Sequence, residues 1–134
     1  MKRTPLRGPI LLVDDDPDFL EMNRSILASR GFAVVCRSDP RTALADLESL
    51  SPALVVTDLM MSALDSGFTL ARSIKADPRF SRVPVIIVTA VARQKGFDFH
   101  PRTPADLAAM HADAFFDKPV DPAALVAKVE ELLG

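Results

Sequence analysis

Four short segments of the sequence end in side chains that could bind a metal or take part in phosphoryl chemistry. Two apolar runs of strand length end in aspartates: Asp14, Asp15 and Asp16 close one, and Asp58 closes the other. A third run ends in the hydroxyl of Thr89, and a fourth in the ammonium of Lys118. Carboxylates at the ends of buried strands are unfavourable unless a cation meets them. A pocket that combines carboxylates, a hydroxyl and an ammonium suits a divalent cation and a phosphoryl group.

Parallel strands are the elements that would bring these side chains together. Apolar runs alternate with stretches of helical period along the chain, which is the βαβ pattern and predicts a parallel sheet covered on both faces. The predicted strands are residues 9–14, 32–37, 54–58, 84–89 and 114–117. Because the carboxyl ends of parallel strands meet at one edge, the four reactive ends are expected to converge there.

Capping and terminating residues predict five helices between and after these strands. Asp16 followed by Pro17 is a start signal, and Gly31 is a terminator. The five helices are predicted to begin, in order, at Asp16–Pro17, at Ser38 or Asp39, at Gly67, at Pro104 and at Asp121–Pro122. The fourth would span Pro104–His111. The fold class is therefore α/β, a single doubly wound domain over residues 9–134 after a basic tail at residues 1–8.

Bulk composition restricts the function classes. The chain has 134 residues, 49% apolar residues and a net charge of −2, which is typical of one soluble domain and gives no reason to expect nucleic-acid binding. No run approaches the ~18 apolar residues of a membrane span. The basic N-terminus is not followed by a signal-peptide apolar region, and Cys36 has no partner cysteine. A cytoplasmic location is expected.

The four segments together resemble a known family. In chain order they are Leu11–Pro17, Val55–Met61, Val88–Ala90 and Asp117–Pro119. This set resembles the receiver domain of bacterial two-component response regulators, the family that includes the chemotaxis regulator. The resemblance implies a flavodoxin-like sheet with strand order 2-1-3-4-5.

The resemblance also implies a Mg²⁺ site. Asp15 corresponds to the direct carboxylate ligand, and Asp14 to a carboxylate that acts mainly through bound water. Asp58 lies at the same metal, and Met60 would offer its backbone carbonyl. Mg²⁺ prefers oxygen ligands and retains waters, so this small donor set is chemically sufficient.

The phosphoryl group and the switch are implied in the same way. Asp58 corresponds to the phosphoacceptor, and Thr89 and Lys118 correspond to the groups that contact phosphoryl oxygens. Phe115 corresponds to an aromatic switch that turns inward as Thr89 moves toward the phosphoryl group.

The function expected from the resemblance is that of a stand-alone response regulator. A histidine kinase or a histidine phosphotransfer protein would supply the phosphoryl group. The output would be binding of a downstream protein through the face formed by the fourth helix, the fifth strand and the fifth helix, and a homodimer is left open. The chain would be a phosphoacceptor that assists its own phosphorylation and dephosphorylation, not an enzyme, with no nucleic-acid or membrane partner.

Three alternatives remain. A protein-binding or dimerisation module of the same fold could ignore phosphorylation. A phosphatase or phosphotransferase with an aspartate nucleophile would need an acidic residue two positions beyond Asp58, where Met60 stands. An FMN carrier would need phosphate-binding glycines after the first strand, and the sequence there is acidic.

The sequence departs from the family pattern in two loops. The segment Ser62–Gly67 lacks the usual proline and is one residue longer, and Ala90–Arg102 extends the stretch between Thr89 and Lys118. Val91 is apolar at the expected mouth of the site. The loop beside the metal and the output face are therefore expected to differ from those of typical members.

Overall fold

A single parallel sheet organises the chain. The computed structural model describes residues 8–58, 66–89, 105, 111–118 and 120–133, with the backbone alone for residues 66–69 and 89. The strands are β1 Ile10–Val13, β2 Val34–Arg37, β3 Leu54–Thr57, β4 Val85–Thr89 and β5 Ala114–Asp117. Their order is β2-β1-β3-β4-β5, with every neighbouring pair parallel, which confirms the predicted flavodoxin-like order.

Helices connect the strands and cover both faces. They are α1 Pro17–Ser29, α2 Pro40–Leu50, α3 Ser66–Ala76 and α4 Pro122–Leu133. The described residues thus contain four helices where five were predicted. The predicted helix Pro104–His111 lies outside the described residues, apart from Ala105, which is helical, and His111. His111 has a φ of 57°, a left-handed conformation that is common just after a helix.

Local capping fixes where α1 and α2 begin. The Asp16 carboxylate accepts a hydrogen bond from the Asp18 N–H at 3.0 Å, and the Asp39 carboxylate accepts one from the Thr42 N–H at 2.8 Å. A proline follows each cap, as expected at the first helical position. The predicted start at Asp16 is confirmed, and of the two candidates for α2 the cap is Asp39.

The core has two layers because successive strand residues point to opposite faces. Along β1, Ile10 and Leu12 pack into the cluster that includes residues of α1 and α4, whereas Leu11 and Val13 pack into the cluster that includes residues of α2 and α3. All four are fully buried. Among the described residues, no helix is both long enough and apolar enough to cross a membrane.

A charged cluster fastens the amino-terminal edge of the sheet. The Asp113 carboxylate accepts hydrogen bonds from the Lys75 ammonium at 2.9 Å and from the buried Val85 N–H at 2.8 Å. Lys75 also donates to the Val83 carbonyl at 2.8 Å. These bonds join the end of α3 to the beginnings of β4 and β5, at the edge opposite the reactive strand ends.

Candidate functional site

Sheet register places Asp14 beside Asp58. Val13 at the end of β1 is paired with Thr57 at the end of β3, so the two aspartates are the next residues on adjacent parallel strands. The Asp58 N–H donates to the Val13 carbonyl at 3.1 Å, which continues the pairing by one step. Asp14 is fully buried and Asp58 is 7% exposed. Two carboxylates at this depth require a cation, because burial penalises ions and like charges repel.

Lys118 supplies one such cation from the far side of the sheet. It follows β5, which is separated from β3 by β4. Its ammonium donates to Asp14 Oδ2 at 2.7 Å and to Asp58 Oδ2 at 3.3 Å, and its side chain is 17% exposed. The predicted meeting of the ammonium with these strand-end carboxylates is therefore observed.

Asp15 completes a cluster of three carboxylates. One oxygen from each of Asp14, Asp15 and Asp58 lies within 4.8 Å of the other two, and Asp15 is exposed where the other two are buried. The donor set consists only of hard oxygens, which is the chemistry that Mg²⁺ prefers. Adjacent ligands about 2.1 Å from an octahedral ion lie about 3.0 Å apart, so the three carboxylate oxygens would draw together around a bound ion. The residues present fit a small divalent cation.

The pKa shifts indicate that the cluster lacks positive charge. Burial raises the pKa of the Asp14 carboxyl above 3.8 and outweighs the hydrogen bonds donated by Lys118 and by the Asp16 N–H. For Lys118, burial would lower the pKa, but the hydrogen bond to Asp14 and the charge of Asp58 prevail and raise it above 10.5. Within the described residues, the Lys118 ammonium offsets only part of the charge that three ionised carboxylates would carry, and a divalent ion would neutralise more of it.

The loop between β1 and α1 is tied to the same cluster. The Asp16 N–H donates to Asp14 Oδ1 at 2.9 Å, while the Asp16 carboxylate caps α1. Asp16 was expected to act only as a cap. The structure adds that its backbone helps to orient Asp14, because the two Asp14 oxygens accept from different partners, Lys118 and Asp16.

Phe19 is a neighbour of the site that the sequence did not single out. Phe19 and Leu27 are both buried on the core face of α1. The Phe19 ring also has the Lys118 ammonium 4.5 Å from its centroid, which is a cation–π contact. The sequence feature that could have identified Phe19 as a neighbour of the site is its position in the first turn of α1, three residues after the Asp16 cap.

Other predicted site residues are described only in part. The backbone of Thr89 lies at the end of β4, opposite Asp117 of β5, and its side chain lies outside the described residues. Phe115 is half-buried on β5, opposite Ile87. Met60, and with it the predicted carbonyl ligand, lies outside the described residues. So do residues 62–65 and 90–102, which contain most of the two atypical loops.

The chain is similar to proteins of one family. Residues 10–130 match the family described as response regulator receiver domain. Response regulator Rre1 of Synechocystis is 33% identical in an alignment of 130 positions that covers 93% of this chain and 51% of Rre1. The chain thus spans about half the length of that relative.

Two further proteins resemble it over most of their length. The uncharacterized 14.6 kDa protein in the sodA1 3' region of Leptolyngbya boryana is 34% identical over 125 residues, covering 91% of this chain and 87% of the relative. The crystal structure of a CheY-like response regulator receiver domain protein from Methanospirillum hungatei is 27% identical, with a TM-score of 0.75 and coverage of 94% and 93%. The structural similarity agrees with the fold described above.

Proposed function

The chain belongs to the response regulator receiver domain family, and from that premise we propose that it accepts a phosphoryl group on Asp58 in the presence of Mg²⁺. The observation that carries this proposal is the convergence of Asp14, Asp15 and Asp58 with Lys118 bridging two of them. Phosphoryl transfer requires positioned oxygens and neutralised charge rather than an elaborate set of proton donors. The pocket supplies both.

Mg²⁺ would be held by the carboxylates of Asp14, Asp15 and Asp58 and by the Met60 carbonyl. Bound there, it would neutralise charge on phosphoryl oxygens. The nucleophile is a carboxylate oxygen of Asp58. A bond forms between that oxygen and phosphorus, the P–N bond of a phosphohistidine breaks, and the imidazole leaves with the electron pair and takes a proton.

Lys118 and Thr89 are assigned to the remaining phosphoryl oxygens. The Lys118 ammonium already lies 3.3 Å from Asp58 Oδ2, so a phosphoryl group on Asp58 would be within reach of its long, mobile side chain. Thr89 is assigned by its position at the end of β4, and its movement together with Phe115 is the proposed switch. A phosphorylated aspartate gains negative charge, which would draw both the hydroxyl and the ammonium toward it.

The proposed biological role is that of a cytoplasmic receiver in two-component signalling. A histidine kinase or histidine phosphotransfer protein would be the donor. The downstream partner would be a protein bound on the face that contains β5, α4 and the predicted helix Pro104–His111. In this role the chain is a phosphoacceptor and not an enzyme.

Labelling with acetyl phosphate tests the proposal. The purified chain is incubated with acetyl phosphate and Mg²⁺ and resolved on a phosphate-affinity gel. The wild type and the Asp39→Asn variant, which changes an exposed helix cap, should shift, whereas Asp58→Asn should not. A wild type that stays unmodified, or an Asp58→Asn variant that is still labelled, would overturn the assignment and favour a module that ignores phosphorylation.

A further inference from the structure

The Lys118 ammonium is held by an aromatic ring as well as by two carboxylates. It lies 4.5 Å from the centroid of Phe19 and donates to Asp14 and Asp58. We propose that Phe19 is a positioning residue of the phosphoryl-transfer site, whose ring holds the Lys118 ammonium beside Asp58. This inference rests on the proposed function, because it assigns Phe19 a part in the same reaction.

Phe19 is itself fixed by the loop that carries the acidic residues. It is the third residue of α1, is 7% exposed, and packs in the core cluster shared with α4. The beginning of α1 is set by the Asp16 cap, and the Asp16 N–H donates to Asp14 Oδ1. Asp14 thus accepts from both Asp16 and Lys118, and Phe19, three residues after the Asp16 cap, contacts the same Lys118 ammonium.

This arrangement meets a specific need of lysine. Its ammonium is a compact charge on a flexible four-carbon stem, so confining it to one place has an entropic cost. The ammonium has three N–H donors, and the bonds to Asp14 and Asp58 use two of them. The negative face of an aromatic ring attracts the cation from a further side without competing for those protons. The ammonium is thus already placed where a phosphoryl group on Asp58 would need it.

An aliphatic core residue would fill the same space without this attraction. A purely structural role for Phe19 depends on its volume and apolar surface, whereas the proposed role depends on the electron density of the ring face. Fluorine atoms on the ring withdraw that density and leave the shape nearly unchanged. Fluorination therefore separates the two roles.

The test replaces Phe19, by site-specific incorporation, with mono-, di- and trifluorinated phenylalanine. The initial rate of labelling by acetyl phosphate is measured at saturating Mg²⁺, together with the thermal midpoint. We expect the rate to fall stepwise with each fluorine, by roughly three- to tenfold for the trifluorinated ring, while the midpoint changes little. Phe19→Leu should be slowed to a similar extent.

Phe80 offers a matched control. It is also 7% exposed, and its ring lies 5.1 Å from the Arg79 guanidinium carbon at the opposite end of the sheet. The same fluorinated residues at position 80 should leave the labelling rate unchanged. A flat rate across the Phe19 series, or an equal decline in the Phe80 series, would overturn the inference.

A second measurement keeps failure of the inference distinct from failure of the proposed function. If the wild type is not labelled at all, the proposed function fails and the rates are uninformative. Phe19→Leu and Lys118→Met are then combined in a double-mutant cycle of urea unfolding without metal. We expect a coupling of roughly two- to fivefold in the unfolding equilibrium constant. Additive effects of the two substitutions would overturn the Phe19–Lys118 interaction.

Discussion

The ammonium of Lys118 lies 2.7 Å from Asp14 Oδ2, although 104 positions separate the two residues in the chain. Asp14 is fully buried, and Lys118 is mostly so. A buried carboxylate that loses its cationic partner is strongly destabilising, whereas exposed ion pairs contribute little. This contact therefore contributes to the stability of the metal-free protein and also takes part in the proposed chemistry.

Replacing Lys118 with methionine should destabilise the metal-free chain by about 2–4 kcal/mol at neutral pH, because it leaves Asp14 and Asp58 without their ammonium. The pKa of Lys118 is raised above 10.5 in the folded protein. Its stabilising contribution is therefore complete below that value and is lost as the pH rises through the folded pKa. Urea unfolding of wild type and variant should differ by a constant amount from about pH 7 to 9 and converge at higher pH.

The control for this measurement is Lys128→Met. Lys128 pairs with Glu131 on the surface of α4, and both side chains are accessible to solvent. Its replacement should change stability by less than about 0.5 kcal/mol. A Lys118→Met variant that loses no more than this control would contradict the view that the buried pair stabilises the fold.

Added Mg²⁺ should raise the thermal midpoint, and the rise should shrink at acid pH. Because burial raises the pKa of Asp14 above 3.8, the contribution of Asp14 to stability is present below 3.8 and is lost as the pH rises through its folded pKa. Above the folded pKa of Asp14, the metal-free site is destabilised by its ionised, buried carboxylate. Mg²⁺ at ten times its Kd should raise the free energy of unfolding by about 1.4 kcal/mol.

Differential scanning fluorimetry from about pH 5 to 8 measures this effect, because protons compete with the metal for Asp14. Asp14→Asn should lose most of the Mg²⁺-dependent rise, and Asp39→Asn, which changes the α2 cap, should retain it. If the Mg²⁺-dependent rise in the thermal midpoint is equally large in Asp14→Asn, or grows toward acid pH, the ion does not bind at Asp14.

Replacing Asp113 with alanine should destabilise the chain by about 1–3 kcal/mol, because the buried Val85 N–H and the Lys75 ammonium both lose their acceptor. Equilibrium unfolding in urea measures the loss. Since Asp113 lies at the edge of the sheet away from the acidic cluster, the Mg²⁺-dependent rise in the thermal midpoint should be unaffected. An altered metal response would show that the two edges are coupled.

Asn23→Leu should stabilise the chain by about 1–2 kcal/mol. Asn23 is 1% exposed on the core face of α1, and its amide donates to the Phe19 carbonyl at 2.9 Å. Within the described part of the chain, its side-chain oxygen is buried without a hydrogen-bond partner. Burial of such an oxygen is unfavourable, and leucine, which branches at the same carbon but is larger, removes it. Urea midpoints should rise for Asn23→Leu and fall for Asn23→Asp; a fall for both would indicate that the oxygen has an acceptor role.

Local sequence was sufficient for the five strands, for four of the five predicted helices and for the placement of Asp14 and Asp58 in one pocket. The start of α1 at Asp16 and Pro17 follows from capping between residues that are close in the sequence. No distant contact is needed to specify it. Asp14 and Asp58 could be assigned to one pocket because each ends an apolar run and parallel strands direct their carboxyl ends to one edge. The Mg²⁺ ligand Met60 and the side chain of Thr89 stay predictions.

Tertiary structure decided which of these side chains touch. The sequence predicts that Lys118 shares a pocket with Asp14 and Asp58, but not that its ammonium also lies over the ring of Phe19. Likewise, nothing near Asp113 indicates Lys75 as its partner. Phe19 and Asn23 both lie on the buried face of α1. Helical periodicity alone does not distinguish a ring beside a cation from an amide beside apolar groups. Residue type and spacing set the conformation of neighbours in the chain, whereas contacts across the sheet depend on strand register and on how each helix packs, which local sequence does not encode.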